Sequence, residues 1–156
     1  MKKVIAVLLM LALVVCTGFA FAGEMARDNR FIAYDNGTVL DTWTDLMWAV
    51  RDNGSHVNWR EAKSYCDNYR RGGYTDWRMP TQDELAGLYD TSKGYTTACG
   101  APARISGLIR LTCFTLWASD TDGSDAAVFQ FVNGWRKWQS QADGHYMRAL
   151  PVRSGK

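Results

Sequence analysis

The chain has 156 residues with 18 basic and 16 acidic side chains, a length that suits a single domain. Two of the bases, Lys2 and Lys3, lie in an N-terminal segment that we predict to be removed, so the remaining chain carries no net charge. Beyond that segment no apolar run is long enough to cross a membrane, and nothing resembles a nucleic-acid-binding module.

Residues 1–22 have the features of a secretory signal peptide. A basic start is followed by an apolar run over residues 4–15, and the sequence AFA at residues 20–22 offers a cleavage site before Gly23. We therefore predict a secreted or periplasmic protein whose one domain covers residues 23–156.

Strands are predicted at the beginning of this domain. Residues 31–34 and 39–40 flank the sequence DNGT, and Asn-Gly tolerates the positive φ angles of a tight hairpin turn. Residues 45–50 (DLMWAV) form a further strand-like run.

Two helices should follow, each opened by a capping box. Asn58 precedes Glu61 by three residues, and Thr81 precedes Glu84 by the same spacing. The first helix has an apolar face at helical spacing, and we expect the Gly-Gly pair at residues 72–73 to end it.

The segment YTDWRM connects the two predicted helices. We expect Trp77 to turn inward, and we expect Arg78 to bond backbone carbonyls and one nearby carboxylate. Asp76 and Glu84 are both close to it in sequence. The pattern favours a structural role for these four residues.

The second half of the domain reads as a long loop over residues 91–109 followed by strands. Residues 114–119 and 126–132 are strand-like, DTDGSD between them reads as a loop, and residues 145–153 form a closing strand. The sequence thus predicts an α+β fold, with two helices packed on a small antiparallel sheet.

The sequence VNGW predicts a hairpin with Asn133-Gly134 as a two-residue turn. That register would place Phe129, Phe131 and Trp138 on a core face. The opposite face would carry Gln130, Trp135 and Lys137 as a mixed, partly exposed surface.

Three cysteines remain after processing, which is an odd number for an oxidising compartment. Cys99 and Cys113 bracket a loop rich in Gly, Ala and Pro, so we predict a disulfide between them. Cys66 would then be buried and free, or would pair with another subunit.

Several segments together resemble the Lcl C-terminal-like domain family. They are TDLMWA, WREAKSYCDNY, GGYTDWRMPTQDEL, LWASD, FVNG and MRALPVR, and the likeness to which they belong extends from about residue 31 to residue 153. The resemblance implies a compact C-type-lectin-like fold, similar also to formylglycine-generating enzymes. It further implies a secreted protein; the namesake domain, from a collagen-like adhesin, is implicated in adhesion to sulfated glycans.

The chain departs from this family in two respects. Members often carry a cysteine in the final strand, where this chain has Ala149, so Cys66 would lack its usual partner. The collagen-like repeat that would supply a trimerising stalk is also missing from the sequence.

The sequence contains no motif for catalysis, and we predict that the protein is not an enzyme. Asp83 and Glu84 are adjacent and would point apart on a helix, while His56 and His145 have no motif linking them to a nucleophile.

SDTDGSD offers hard oxygen ligands for calcium, and the residues concerned are Asp120, Asp122 and Asp125. A polar hairpin connection is the alternative interpretation, and we favour it. No other cofactor is indicated.

The remaining functional hypothesis is ligand binding. From residue 126 onward five bases accompany one acid, a distribution that could serve an anionic partner such as an acidic or sulfated polysaccharide. Trp135, Arg136 and Lys137 would form the surface, with Trp117 as a further candidate. A position in the hydrophobic core is the alternative for Trp117, and we favour it. The alternative function is a structural or protein-interaction module within an envelope assembly.

Overall fold

A computed structural model describes residues 22–156 of the chain, so the predicted signal peptide lies outside the described residues except for Ala22. The elements follow in chain order as β1 (Glu24–Asp28), β2 (Phe31–Tyr34), β3 (Thr38–Asp41), β4 (Leu46–Ala49), α1 (Trp59–Asp67), α2 (Gln82–Gly87), β5 (Tyr95–Thr96), β6 (Pro102–Ala103), β7 (Thr115–Asp122), β8 (Asp125–Gln130), β9 (Trp135–Ser140), β10 (Met147–Arg148) and β11 (Val152–Ser154). A single 3₁₀ turn, Arg71–Gly73, lies between the helices.

The strands form two main sheets. One has five antiparallel strands in the order β1-β2-β3-β4-β11, and the other has four in the order β10-β7-β8-β9. Within the second sheet β10 runs parallel to β7, whereas β7, β8 and β9 are antiparallel. The fold is therefore α+β and mostly antiparallel. Strands dominate it, and they form more and larger sheets than the one small sheet that we predicted.

Both predicted capping boxes are present. The Asn58 side chain accepts from the Glu61 N–H while the Glu61 carboxylate accepts from the Asn58 N–H, and Thr81 and Glu84 repeat the arrangement. Each box satisfies backbone donors that the first turn of a helix leaves free.

Helix α1 ends earlier than the Gly-Gly pair predicted. It stops at Asp67 with Asn68 as its C-cap, and Asn68 also binds the Ser64 carbonyl through its side-chain amide. Gly72 lies in the 3₁₀ turn, where the backbone comes close to the Thr38 side chain. Its φ is +72°, and an added Cβ would lie 2.8 Å from Thr38, so the position favours glycine.

The four-stranded sheet has a hydrophobic cluster on each face. Leu116 and Phe129 are paired neighbours on β7 and β8 and belong to the cluster that also holds the apolar side chains of α2 and the five-stranded sheet. Trp117 and Val128, the next pair, belong to the cluster that contains the buried side of α1. β8 is thus buried on both sides.

The hairpin between β8 and β9 differs from the predicted register by two residues. Gln130 pairs with Trp135, so residues 131–134 form a four-residue connection in place of the two-residue turn. Trp138 consequently lies opposite Ala127 and is 53% exposed, which corrects its assignment to the core. Trp138 is exposed because β9 is an edge strand, with β8 as its one neighbour in the sheet.

Two further sequence predictions need correction. The segment DTDGSD is largely strand, because β7 extends to Asp122 and β8 begins at Asp125. The predicted closing strand is divided into β10 and β11, which belong to different sheets, and Pro151 lies between them.

The disulfide joins Cys99 and Cys113, the pair favoured from the sequence, with 5.3 Å between their Cα atoms. Cys66 is a free, buried cysteine on α1, where burial raises the pKa of its thiol. Among the helices of residues 22–156, none combines the length and apolar character that a membrane span requires.

Candidate functional site

Strand β9 carries Trp135, Arg136 and Lys137, the residues that the sequence indicated as a binding surface. Trp135, Arg136, Lys137 and Trp138 are all exposed, and the two indoles keep 55% and 53% of their surface in contact with solvent. Large apolar side chains in such positions are typical of interaction surfaces when they occur together. We call these four residues the β9 surface.

Trp135 and Lys137 lie on the same side of β9, since residues two apart on a strand share a face. The Lys137 ammonium is 4.7 Å from the centre of the Trp135 ring. A cation at this distance is attracted to the ring's negative face, which holds the two flexible side chains together. This side of the strand therefore presents a positive charge directly beside an apolar ring.

Arg136 and Trp138 lie on the opposite side of the strand. The Arg136 guanidinium forms an ion pair with Asp83 on α2, and both side chains remain largely exposed. An exposed ion pair of this kind contributes little to stability, about 0–1 kcal/mol. Its effect is mainly to orient Arg136, which keeps other donors free for a ligand.

Trp138 was missed as a surface residue by sequence reasoning. Its sequence position two residues after Arg136 assigns both to one side of the strand, but the pattern alone does not distinguish an edge strand from a covered one. A usable signal was that four consecutive bulky or basic residues leave no alternation of polar and apolar positions in β9.

Trp117 does not contribute to this surface, which corrects its place among the binding candidates. Its side chain is fully buried, and its indole N–H donates to the Val57 carbonyl at 2.8 Å. A buried indole with a satisfied N–H is a core residue.

The three aspartates considered for calcium do not assemble into a metal site. Asp122 and Asp125 face each other across the β7–β8 hairpin, whereas Asp120 accepts a hydrogen bond from the Gln82 backbone N–H at 2.7 Å. Residues 22–156 contain no group of three Asp, Glu, His or Cys side chains that could hold a metal ion. Asp120 is better described as a contact between β7 and the start of α2.

The segment between the helices is held by two carboxylates. Arg78 donates to both carboxylate oxygens of Glu84, at 2.8 and 2.6 Å, and to the Met79 carbonyl. Burial raises the pKa of Glu84, but the hydrogen bonds from Arg78 and Thr81 outweigh it and lower the pKa overall.

Asp76 binds a different arginine. It forms a two-point ion pair with Arg153 of β11, whose guanidinium also lies 3.9 Å from the centre of the Tyr74 ring. The hydrogen bond from Arg153 lowers the pKa of Asp76. These contacts connect the segment between the helices to the five-stranded sheet.

Trp77 lies between Asp76 and Arg78 in the chain, so its two neighbours each take part in one of these ion pairs. Its ring is 3% exposed, and its indole N–H donates to the Arg71 carbonyl at 3.1 Å. The rings of Tyr69 and Tyr74 meet it edge to face. The segment therefore joins a buried aromatic group to two ion pairs, an arrangement that stabilises the fold.

A family model described as the Lcl C-terminal domain matches residues 37–153, which is most of the chain. A search of curated proteins found no match.

Proposed function

The chain belongs to the Lcl C-terminal domain family, and with the β9 surface we propose that it is a non-catalytic extracytoplasmic module that binds a sulfated or acidic glycan. The observation that carries the proposal is the pairing of Trp135 with Lys137 on an uncovered edge strand.

The chemistry of the β9 surface suits such a ligand. A sugar ring has an apolar C–H face that can pack on an indole, and a sulfate or carboxylate on that ring can accept from a neighbouring ammonium or guanidinium. Lys137 lies beside the indole of Trp135, and Arg136 lies on the other side of the strand. An anionic glycan could therefore use both contacts along the length of β9.

The proposal is tested with the exported protein and heparin fragments, with chemically desulfated heparin as the matched ligand. We expect the sulfated fragment to bind with an affinity that falls as salt rises. Lys137→Ala and Arg136→Ala should each weaken binding several-fold, since each removes one charged hydrogen bond of about 1.5–3 kcal/mol, reduced by solvent screening.

Lys63→Ala is the matched control variant. Lys63 is an exposed base on α1 that pairs with Asp67 and does not belong to the β9 surface, so its removal changes net charge by the same amount. Equal weakening by Lys63→Ala would show a non-specific charge effect, and equal binding of desulfated heparin, which keeps its carboxylates, would rule out recognition of the sulfate groups.

The alternative function is a structural or protein-interaction module of an envelope assembly. The open edge of β9 supports it, because an edge strand offers unpaired backbone groups to which a partner strand can add. Envelope proteins that co-purify with the wild type and are lost in Trp138→Ala, together with no binding to any glycan, would favour this function.

We also propose the finer features that family membership implies, namely a C-type-lectin-like topology and a secreted or periplasmic location. The disulfide supports the location, because such bonds persist in oxidising compartments. Mass spectrometry of the periplasmic and secreted fractions should find a chain that begins at Gly23 with Cys99 and Cys113 oxidised. An unprocessed, reduced chain in the cytoplasm would contradict this.

A further inference from the structure

A cleft lies outside the β9 surface, at the end of α2. Its walls come from the turn between β1 and β2, from Trp43 after β3, from the residues that follow α2, and from Lys93 and Ser106. Its volume is about 190 Å³, which is below the range of about 300–1,000 Å³ that holds drug-sized ligands. The cleft therefore fits a small ligand or one unit of a larger one.

Two acids, Asp28 and Asp90, and two bases, Arg30 and Lys93, line the cleft, so its charges compensate one another. The Asp28 carboxylate accepts from the Lys93 ammonium at 2.5 Å and from the Ser106 hydroxyl at 2.6 Å, and these hydrogen bonds lower the pKa of Asp28. Arg30 lies 3.2 Å from the Asp41 carboxylate and donates to the Gly87 carbonyl. A ligand that entered would meet oriented donors and acceptors without a strong field of either sign, which favours an uncharged polar molecule.

Trp43 forms the exposed rim of this cleft. Its side chain is 72% exposed, yet the Arg30 guanidinium lies 4.9 Å from its ring and also 4.8 Å from the ring of Phe31. The Trp43 backbone N–H donates to the Asp41 carboxylate. An indole that is held by neighbours on one side and open on the other is preorganised for stacking, because little side-chain entropy remains to be lost when a ligand binds.

We propose that this cleft binds an uncharged sugar unit, stacked on the indole of Trp43 and hydrogen-bonded to the Asp28–Lys93 pair. The site is independent of the β9 surface: its charges are balanced, whereas β9 is suited to an anion. Tyr89 lines the cleft and also touches the Gly134 position just before β9, so the two sites are neighbours.

The test uses the exported, ¹⁵N-labelled protein and follows the indole N–H signals in NMR spectra. The probes are the methyl glycosides of glucose, galactose, mannose and N-acetylglucosamine, each at about 20 mM, well above a millimolar Kd. Glucose 6-sulfate is the anionic comparison. The Trp43 signal is identified by its disappearance in Trp43→Ala, which removes an exposed side chain.

We expect at least one neutral glycoside to shift the Trp43 signal, with no change on adding salt. Saturation-transfer signals from that glycoside should fall at least about tenfold in Trp43→Ala and persist in Tyr146→Ala, the loss of an exposed aromatic side chain that belongs to neither the cleft nor the β9 surface. The proposal is overturned if no neutral glycoside shifts the signal, if Trp43→Ala retains binding, or if the sulfated sugar alone binds.

Discussion

Replacing Trp77 with alanine should destabilise the domain by about 4 kcal/mol. Trp77 is 3% exposed, and truncation of a large aromatic side chain in a core costs about 3–5 kcal/mol. The change also removes the hydrogen bond to Arg71 and the edge contacts with Tyr69 and Tyr74. Since a domain is stable by about 5–15 kcal/mol in total, the loss should be easy to detect.

The assay is urea unfolding followed by circular dichroism, with the midpoint and slope compared between variants. Trp77→Phe keeps most of the packing and removes the indole N–H, so it should lose about 1 kcal/mol. Trp43→Ala removes the same side chain from an exposed position and should stay within about 0.5 kcal/mol of the wild type. A Trp77→Ala protein that matches Trp43→Ala would refute the structural role of the segment between the helices.

Three other perturbations have defined outcomes. Replacing Cys99 and Cys113 together with serine should cost about 3 kcal/mol in the same unfolding assay, since the bridge closes a loop of 14 residues; an unchanged midpoint would contradict this. The pKa of Glu84 is lowered in the fold, so its carboxylate stabilises the protein above the unfolded pKa, and that stability is lost as pH falls through the folded value. Glu84→Gln should therefore flatten the acid limb of a stability–pH curve below about pH 4.5, and an unchanged limb would assign it to other groups. Ala149→Cys should form a second disulfide with Cys66, which shares its buried cluster, so that thiol titration of the unfolded protein falls from one to zero; a rise to two would show that the pair cannot close.

Local signals in the sequence predicted local structure well. The two capping boxes and the first hairpin depend on residues within a few positions of each other, so their chemistry can be read without knowing the rest of the fold. The disulfide between Cys99 and Cys113 also closes a short segment.

Features that depend on distant partners were not predictable in the same way. The exposure of Trp138 follows from which strand lies beside β9, and a pattern of residue types does not contain that information. The predicted register of β9 was wrong for a related reason. A two-residue turn and a four-residue connection shift the register by two residues and so place the same side chains on each face, which means that the hydrophobic pattern does not distinguish them.

The cleft at the end of α2 was invisible to sequence reasoning. Asp28, Trp43, Lys93 and Ser106 are scattered over four separate segments, and the folded chain brings them together at the end of α2. The β9 surface was found in part, because Trp135, Arg136 and Lys137 are consecutive in the chain, whereas the next residue, Trp138, was assigned to the core.

The burial of Cys66 has a consequence for how the disulfide between Cys99 and Cys113 is kept. Within residues 22–156 three cysteines allow three pairings, and the native one closes the shortest loop, which costs the least chain entropy. Both wrong pairings require Cys66, and exchange of a disulfide requires an accessible thiolate. Once α1 docks on the four-stranded sheet, the thiol of Cys66 is buried and its pKa is raised, so folding protects the bridge from exchange with the remaining thiol of residues 22–156.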